Sequence, residues 1–166
     1  GIKKYCPNAI VISLANPLDA IVYTLYKEMK PNKAKIMGMA GQLDSGRYCY
    51  FVAKEAGVSV ENVNAMVLGG HGDTMVPVRS TARIAGMPVE KFVAADKLEA
   101  IETRTRKAGG EVVNLLGSGS AFVSPAWAAL EMAESIIYDK KKIIPVCALL
   151  EGEYGVDGMF VGVPAI

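Results

Sequence analysis

The sole histidine of the chain, His71, stands in the string Gly69-Gly70-His71-Gly72-Asp73, directly after the apolar run ending at Leu68. Such a run predicts a strand, and the carboxyl ends of strands are where α/β proteins favour their sites. An imidazole there can take or give a proton as the chemistry demands. A turn histidine among glycines chosen for their backbone angles accounts for the same string equally well. Asp44 and Arg47 lie three residues apart at the start of a predicted helix and therefore share a face. By themselves they read as an intrahelical ion pair with its acid at the positive helix end, worth roughly 0.5 kcal/mol or less. With His71 added, the pair reads differently. A carboxylate against one imidazole nitrogen fixes the tautomer and stabilises imidazolium, while arginine offers a planar fork to a carboxylate. The three together describe a site for a small carboxylic acid. Asn16 reads first as a helix N-cap, and its amide could also hydrogen-bond a substrate hydroxyl or carbonyl.

Positioning these residues requires strands that feed helices. The β-branched run Ala9 to Leu14 predicts a strand covered on both faces. Asn16-Pro17 then opens a helix to about Met29, with Ile21, Leu25 and Met29 on one face. After Lys30-Pro31-Asn32, a short strand over Ile36 to Met39 leads through Gly41 into a helix from Leu43 to Ala56, closed by Gly57. A strand over Val63 to Leu68 empties into the His71 loop. Short strands follow from Val76 to Phe92, with a turn at Gly86-Met87-Pro88. The long helix over Asp96 to Leu116 should be weakened or kinked at Gly109-Gly110. Ser124-Pro125 opens a helix to about Tyr138 that should bury Trp127, Leu130, Met132, Ala133 and Ile137. Ile143 to Leu149 and Met159 to Val163 make an antiparallel pair. The fold class expected is α/β, with one principal α+β domain.

Composition narrows the function classes. The formal charge is 18 − 17 = +1 with the basic residues dispersed, which gives no concentrated positive field for nucleic acid or anionic membranes. Apolar runs are broken well before the roughly 20 residues a membrane span needs, and GIKKYCPN has no signal-peptide layout. A cytoplasmic location is expected. Cys6, Cys49 and Cys147 form no CxxC pair and the chain has one histidine, so reduced thiols packed as small hydrophobes are expected and no metal site. Gly70-His71-Gly72 and Gly117-Ser118-Gly119 each begin like G-x-G-x-x-G, but Met75 and Phe122 stand where the third glycine belongs.

Four segments in order, SLANPLDA, GQLDSGRY, LGGHGDTMVPV and GSGSAFVSPAWA, resemble the substrate-side motifs of the lactate and malate dehydrogenase superfamily, and the glycine pair before His71 with the later GSAF is more similar to the malate branch. The resemblance implies a C-terminal-domain-like fold over residues 31–166, preceded by a remnant of the NAD-binding Rossmann domain over 1–30. It implies His71 as general acid/base in hydride transfer between malate and NAD, giving oxaloacetate. Asp44 would orient His71, Arg47 would clamp the C1 carboxylate, and Asn16 would contact the reacting oxygen and the nicotinamide ribose. Leu14, Leu43 and Pro125 match positions lining the nicotinamide pocket, and Ser120 and Ala121 positions near the substrate. A homo-oligomer, dimer or tetramer, is implied as well. The glycine fingerprint, the acidic residue for the adenine ribose and the mobile loop arginines of the family have no counterpart here, nor has its last helix. Gly46 replaces the alanine of LDSAR.

Other readings stay open at this level. They are a lactate or other 2-hydroxy-acid dehydrogenase, an inactive half-enzyme, a non-catalytic interaction module, and a serine hydrolase built on Ser45, His71 and Asp44. The last lacks the G-x-S-x-G elbow.

Overall fold

The computed structural model describes residues 1–30 and 32–166. Pro31, in the expected break Lys30-Pro31-Asn32, lies outside the described residues. After a single turn of helix, α1 (Ile2–Tyr5), the chain forms β1 (Val11–Ser13), α2 (Leu18–Met29), β2 (Ile36–Gly38) and α3 (Gly41–Ala56). Next come β3 (Val63–Asn64), β4 (Val67–Gly69), β5 (Met75–Pro77), β6 (Arg83–Ile84) and β7 (Met87–Pro88). Two long helices, α4 (Ala95–Leu116) and α5 (Val123–Ile137), lead into the hairpin β8 (Ile144–Glu151) and β9 (Asp157–Ala165). One sheet runs β1-β2-β8-β9-β4-β5 and a small second sheet runs β3-β6-β7. The β1/β2 pair is parallel and every other pair antiparallel. This is the expected α/β class.

β8 explains why its sequence is a continuous apolar run. Alternate side chains of a strand face opposite sides, and here both sides are covered. Cys147 and Leu149 join Leu18 and Val22 of α2, while Ile144 and Val146 join Leu43 of α3 and Met132 of α5. The third cluster packs Tyr48 and Val52 of α3 against Leu98 and Ile101 of α4, with Val67, Met75 and Ile84 from the strands. α3 contributes to two of these clusters and is the central element.

Several expectations need correction. Asn16 does not cap α2: Pro17 occupies the N-cap position with extended backbone, and no side-chain cap bond forms. The most buried face of α2 is Leu18 and Val22, with Ile21, Leu25 and Met29 half-buried beside it, because the helix meets the sheet through its first turn. The single strand expected over Val63 to Leu68 is two, in different sheets. The Gly86-Met87-Pro88 turn is a two-residue turn at Ala85 (φ 48) and Gly86 (φ 83), with Met87 and Pro88 already in β7. Such primed turns demand positive φ at both positions.

α4 runs unbroken through Gly109-Gly110 and ends at Gly117 in the left-handed region. Tertiary packing of Leu98, Ile101, Thr105 and Ala108 outweighs a glycine cost of about 1 kcal/mol each. In α5, Met132 and Ala128 are buried, whereas Trp127 is 65% and Ile137 73% exposed, and Leu130 is exposed too. Apolar residues span a wider arc of the helix than the sheet covers, so its periodicity could not choose which stripe faces the sheet.

Candidate active site

Local rules place each member of the cluster. β2 ends at Gly38, and α3 starts at Gly41, where a Cβ would stand 2.7 Å from Pro145 Cβ and 2.8 Å from the Val67 carbonyl. That close approach seats the first turn of α3 against β4 and β8. Asp44 lies in that first turn, where the helix end favours its charge, and is 1% exposed. One residue on, the buried Ser45 Oγ accepts the Val67 N–H at 2.8 Å. Val67 pairs with Pro77 in β5, so the hydroxyl satisfies a strand donor beside the carboxylate. The Ser45 hydroxyl is thus engaged by the strand and, among the described residues, makes no hydrogen bond to His71.

β4 then carries His71 to Asp44. Gly69 pairs with Met75 on one side and with Gly162 of β9 on the other. A Cβ on Gly162 would collide with the Gly69 backbone, so β9 can approach β4 only at a glycine. The His71 loop closes this hairpin. It is no strand-to-helix turn, and Gly117-Gly119 joins two helices, so neither glycine cluster has the setting of a dinucleotide fingerprint.

His71 Nδ1 lies 2.8 Å from Asp44 Oδ2, and Arg47 Nη1 donates to Asp44 Oδ1 at 3.1 Å. The intrahelical ion pair and the cross-element contact both exist, one on each carboxylate oxygen. An ionised carboxylate only accepts, so Nδ1 carries the hydrogen and a neutral His71 keeps a lone pair on Nε2. The His71 side chain is 22% and the Arg47 side chain 14% exposed, so both can meet a ligand while Asp44 stays dry. Arg47 lines a cleft of about 750 Å³ between α3, α4 and α5, bordered also by Leu43, Ala108, Val112 and Trp127. His71 lines a smaller cavity of about 220 Å³ with Leu18, Asp19, Ala40 and Phe160. Asp44 ties the two openings together.

Among the described residues, the remaining predicted residues share no hydrogen bond with these three side chains. Leu14 and Asn16 are exposed beyond the carboxyl end of β1, Ser120 is exposed and Ala121 half-buried between α4 and α5, and Pro125 lies in the first turn of α5. Leu43 is buried against Ala128 and Met132 while bordering the Arg47 cleft. Two residues not predicted as part of the site lie against the cluster or its loop. Gly109 faces Arg47, whose Nη1 would be 3.8 Å from a Cβ there, and Arg106 Nε donates to the Met75 carbonyl at 3.2 Å. The glycine pair in α4 was the available signal for the first; nothing in the sequence pointed to the second.

Burial pushes the Cys147 thiol up to about 12 and raises that of Cys49, so both are inert packing groups. Cys6 is exposed, against the expectation that all three thiols pack inside. Among the described residues no cluster of His, Cys, Asp or Glu is placed to hold a metal, and no helix is long and apolar enough to cross a membrane.

Residues 41–166 match the family described as lactate/malate dehydrogenase, alpha/beta C-terminal domain. A malate dehydrogenase of Anaeromyxobacter dehalogenans is 55% identical over 166 residues, which is 100% of this chain and 53% of that protein. The crystal structure of Cryptosporidium parvum malate dehydrogenase superposes with a TM-score of 0.96 at 40% identity, covering 98% of this chain and 54% of that one. Lactate dehydrogenase of the same organism, complexed with lactic acid and nicotinamide adenine dinucleotide, superposes with a TM-score of 0.96 at 42% identity, covering 99% and 54%. The chain thus spans about half the length of these relatives. With a carboxylate shared between the histidine of a strand-end loop and an arginine one helical turn away, and with that match over its α/β domain, this chain belongs to the lactate/malate dehydrogenase family.

Proposed function

We propose that this chain is the substrate-binding part of an NAD-dependent malate dehydrogenase, with residues 31–166 forming the catalytic domain and residues 1–30 belonging to the cofactor-binding half. The observation that carries the reading is the Asp44 carboxylate bridging His71 and Arg47. His71 Nε2 accepts the hydroxyl proton of the 2-hydroxy acid, and in the reverse direction returns it to the carbonyl oxygen. Asp44 holds Nδ1–H and stabilises the imidazolium that results. Arg47 directs the N–H groups it does not give to Asp44 at the C1 carboxylate.

NAD, when bound, supplies the hydride acceptor. The residues present fit its nicotinamide end: Leu14 is 42% exposed at a strand's carboxyl end, an apolar surface for a flat ring, with the Asn16 amide two residues on. Leu43 and Pro125 line the same pocket in this reading, and Ser120 and Ala121 lie near the substrate. The unburied apolar face of α5 supports assembly into a homo-oligomer. The soluble cytoplasm is the location this reading implies.

The test is a chimera in which this chain replaces the matching stretch of the Anaeromyxobacter dehalogenans relative. NADH oxidation is measured with oxaloacetate and, in parallel, pyruvate. Activity with oxaloacetate, lost in His71→Asn, is expected. A folded chimera inactive with both substrates would overturn the reading, and full activity in His71→Asn would remove His71 as the acid/base.

A further inference from the structure

The loop that carries His71 rides on a hairpin of two three-residue strands, paired Val67 with Pro77, Leu68 with Val76 and Gly69 with Met75. The β4 arm is pinned twice, by the Gly69 pairing with Gly162 of β9 and by the hydrogen bond from Val67 N–H to Ser45. The β5 arm is at the sheet edge, with Val76 53% exposed and a proline at its end. A short edge arm of this kind is the natural place for local opening. Its polar tie to the body of the protein next to the loop is the hydrogen bond from Arg106 of α4 to the Met75 carbonyl. Met75 N–H in turn closes the His71 loop by donating to Gly72 O at 3.0 Å. The Met75 peptides therefore take one hydrogen bond from the helix and give one to the turn on which the imidazole sits.

We propose that Arg106 is a positioning residue for His71, holding the β5 arm to α4 so that the imidazole stays on the Asp44 carboxylate. The arm has a second arginine tie farther from the loop, Arg79 Nε to Glu102 Oε1 at 2.6 Å. Glu102 and Arg106 are four apart on α4 and thus on one face. The two ties come from one helix to one arm, but the Met75 carbonyl is four residues from His71 and Arg79 is eight. Arg106 governs the imidazole, whereas Arg79 governs the segment that leaves the strand.

The functional meaning rests on His71 being the acid/base, but the test does not use turnover, so failure of one is distinguishable from failure of the other. His71 is the sole histidine, so the hydrogen-bonded imidazole N–H gives one low-field proton resonance, free of overlap from other histidines. Its exchange with solvent measures opening of the His71 to Asp44 contact in the 166-residue chain. Arg106→Met keeps the aliphatic stem and removes the donor, and exchange about tenfold faster, or loss of the resonance, is expected. Arg106→Lys keeps a donor and should restore slow exchange, and it decides the matter if the methionine variant does not fold. Arg79→Met should leave the exchange within about twofold of the parent, since distant sites act independently. Parental exchange in a folded Arg106→Met, fast exchange in Arg106→Lys, or equal acceleration by Arg79→Met would overturn the proposal.

Discussion

Replacing Asp44 by asparagine removes one charge and almost no volume, and the structure says what each contact should lose. Asp44 is 1% exposed and accepts from His71 at 2.8 Å and Arg47 at 3.1 Å. An amide has one accepting oxygen, so it can serve one of these partners and must turn its NH2 on the other. If the NH2 faces His71, the hydrogen moves to Nε2 and the proton acceptor disappears. If it faces Arg47, two donors meet, and the guanidinium is displaced. In either arrangement the imidazolium formed during reaction loses its counter-charge. Unit charges about 4 Å apart attract by about 4 kcal/mol at an effective dielectric constant of about 20. Losing half to all of that in the transition state lowers turnover by about 30- to 1000-fold. The Michaelis constant should change less, because the neutral ground state does not depend on the charge. Steady-state kinetics of the chimera with malate and NAD, the direction in which His71 starts neutral, provide the assay, and the ring-nitrogen shifts of His71 report the tautomer. Turnover within about twofold of the parent would remove Asp44 from the mechanism, whatever its effect on folding.

Arg47→Lys keeps the charge but loses the fork, and should raise the Michaelis constant for oxaloacetate about 10- to 100-fold; unchanged saturation behaviour would refute the clamp. Ser45→Ala leaves the buried Val67 N–H without its acceptor and should lower unfolding stability by about 1–3 kcal/mol, read from urea midpoints. Gly46 is exposed in the interior of α3, and an added Cβ would meet no atom within 4 Å, so Gly46→Ala should stabilise by about 0.5–1 kcal/mol without altering kinetics. A loss of stability there would show that the helix at Gly46 depends on its missing side chain. Gly41→Ala should destabilise by about 1–3 kcal/mol, because its Cβ meets the Val67 carbonyl and Pro145; a neutral result would mean that α3 can retreat from the sheet.

The element types were legible because each is set by short-range chemistry. A continuous apolar run makes β8, a left-handed glycine ends α3 at Gly57 and α4 at Gly117, and Asp44 and Arg47 meet because three residues make nearly one helical turn. The cluster of Asp44, Arg47 and His71 was suggested by the three residue types taken together, a carboxylate to orient an imidazole beside an arginine fork, whereas the burial of Asp44 belongs to the tertiary structure. Tertiary structure decided what periodicity leaves degenerate. It chose Ala128 and Met132 over Trp127 and Ile137 in α5, because the apolar arc of the helix is wider than the sheet can cover and no stripe within it is preferred until the sheet meets it. It carried α4 unbroken through two glycines, because packing against α3 exceeds their local cost. It split Val63 to Leu68 between two sheets and brought Gly162 onto Gly69, as strand partners far apart in sequence are chosen by the closure of the whole sheet. Only at that level does the distance of 2.8 Å between residues 44 and 71 exist.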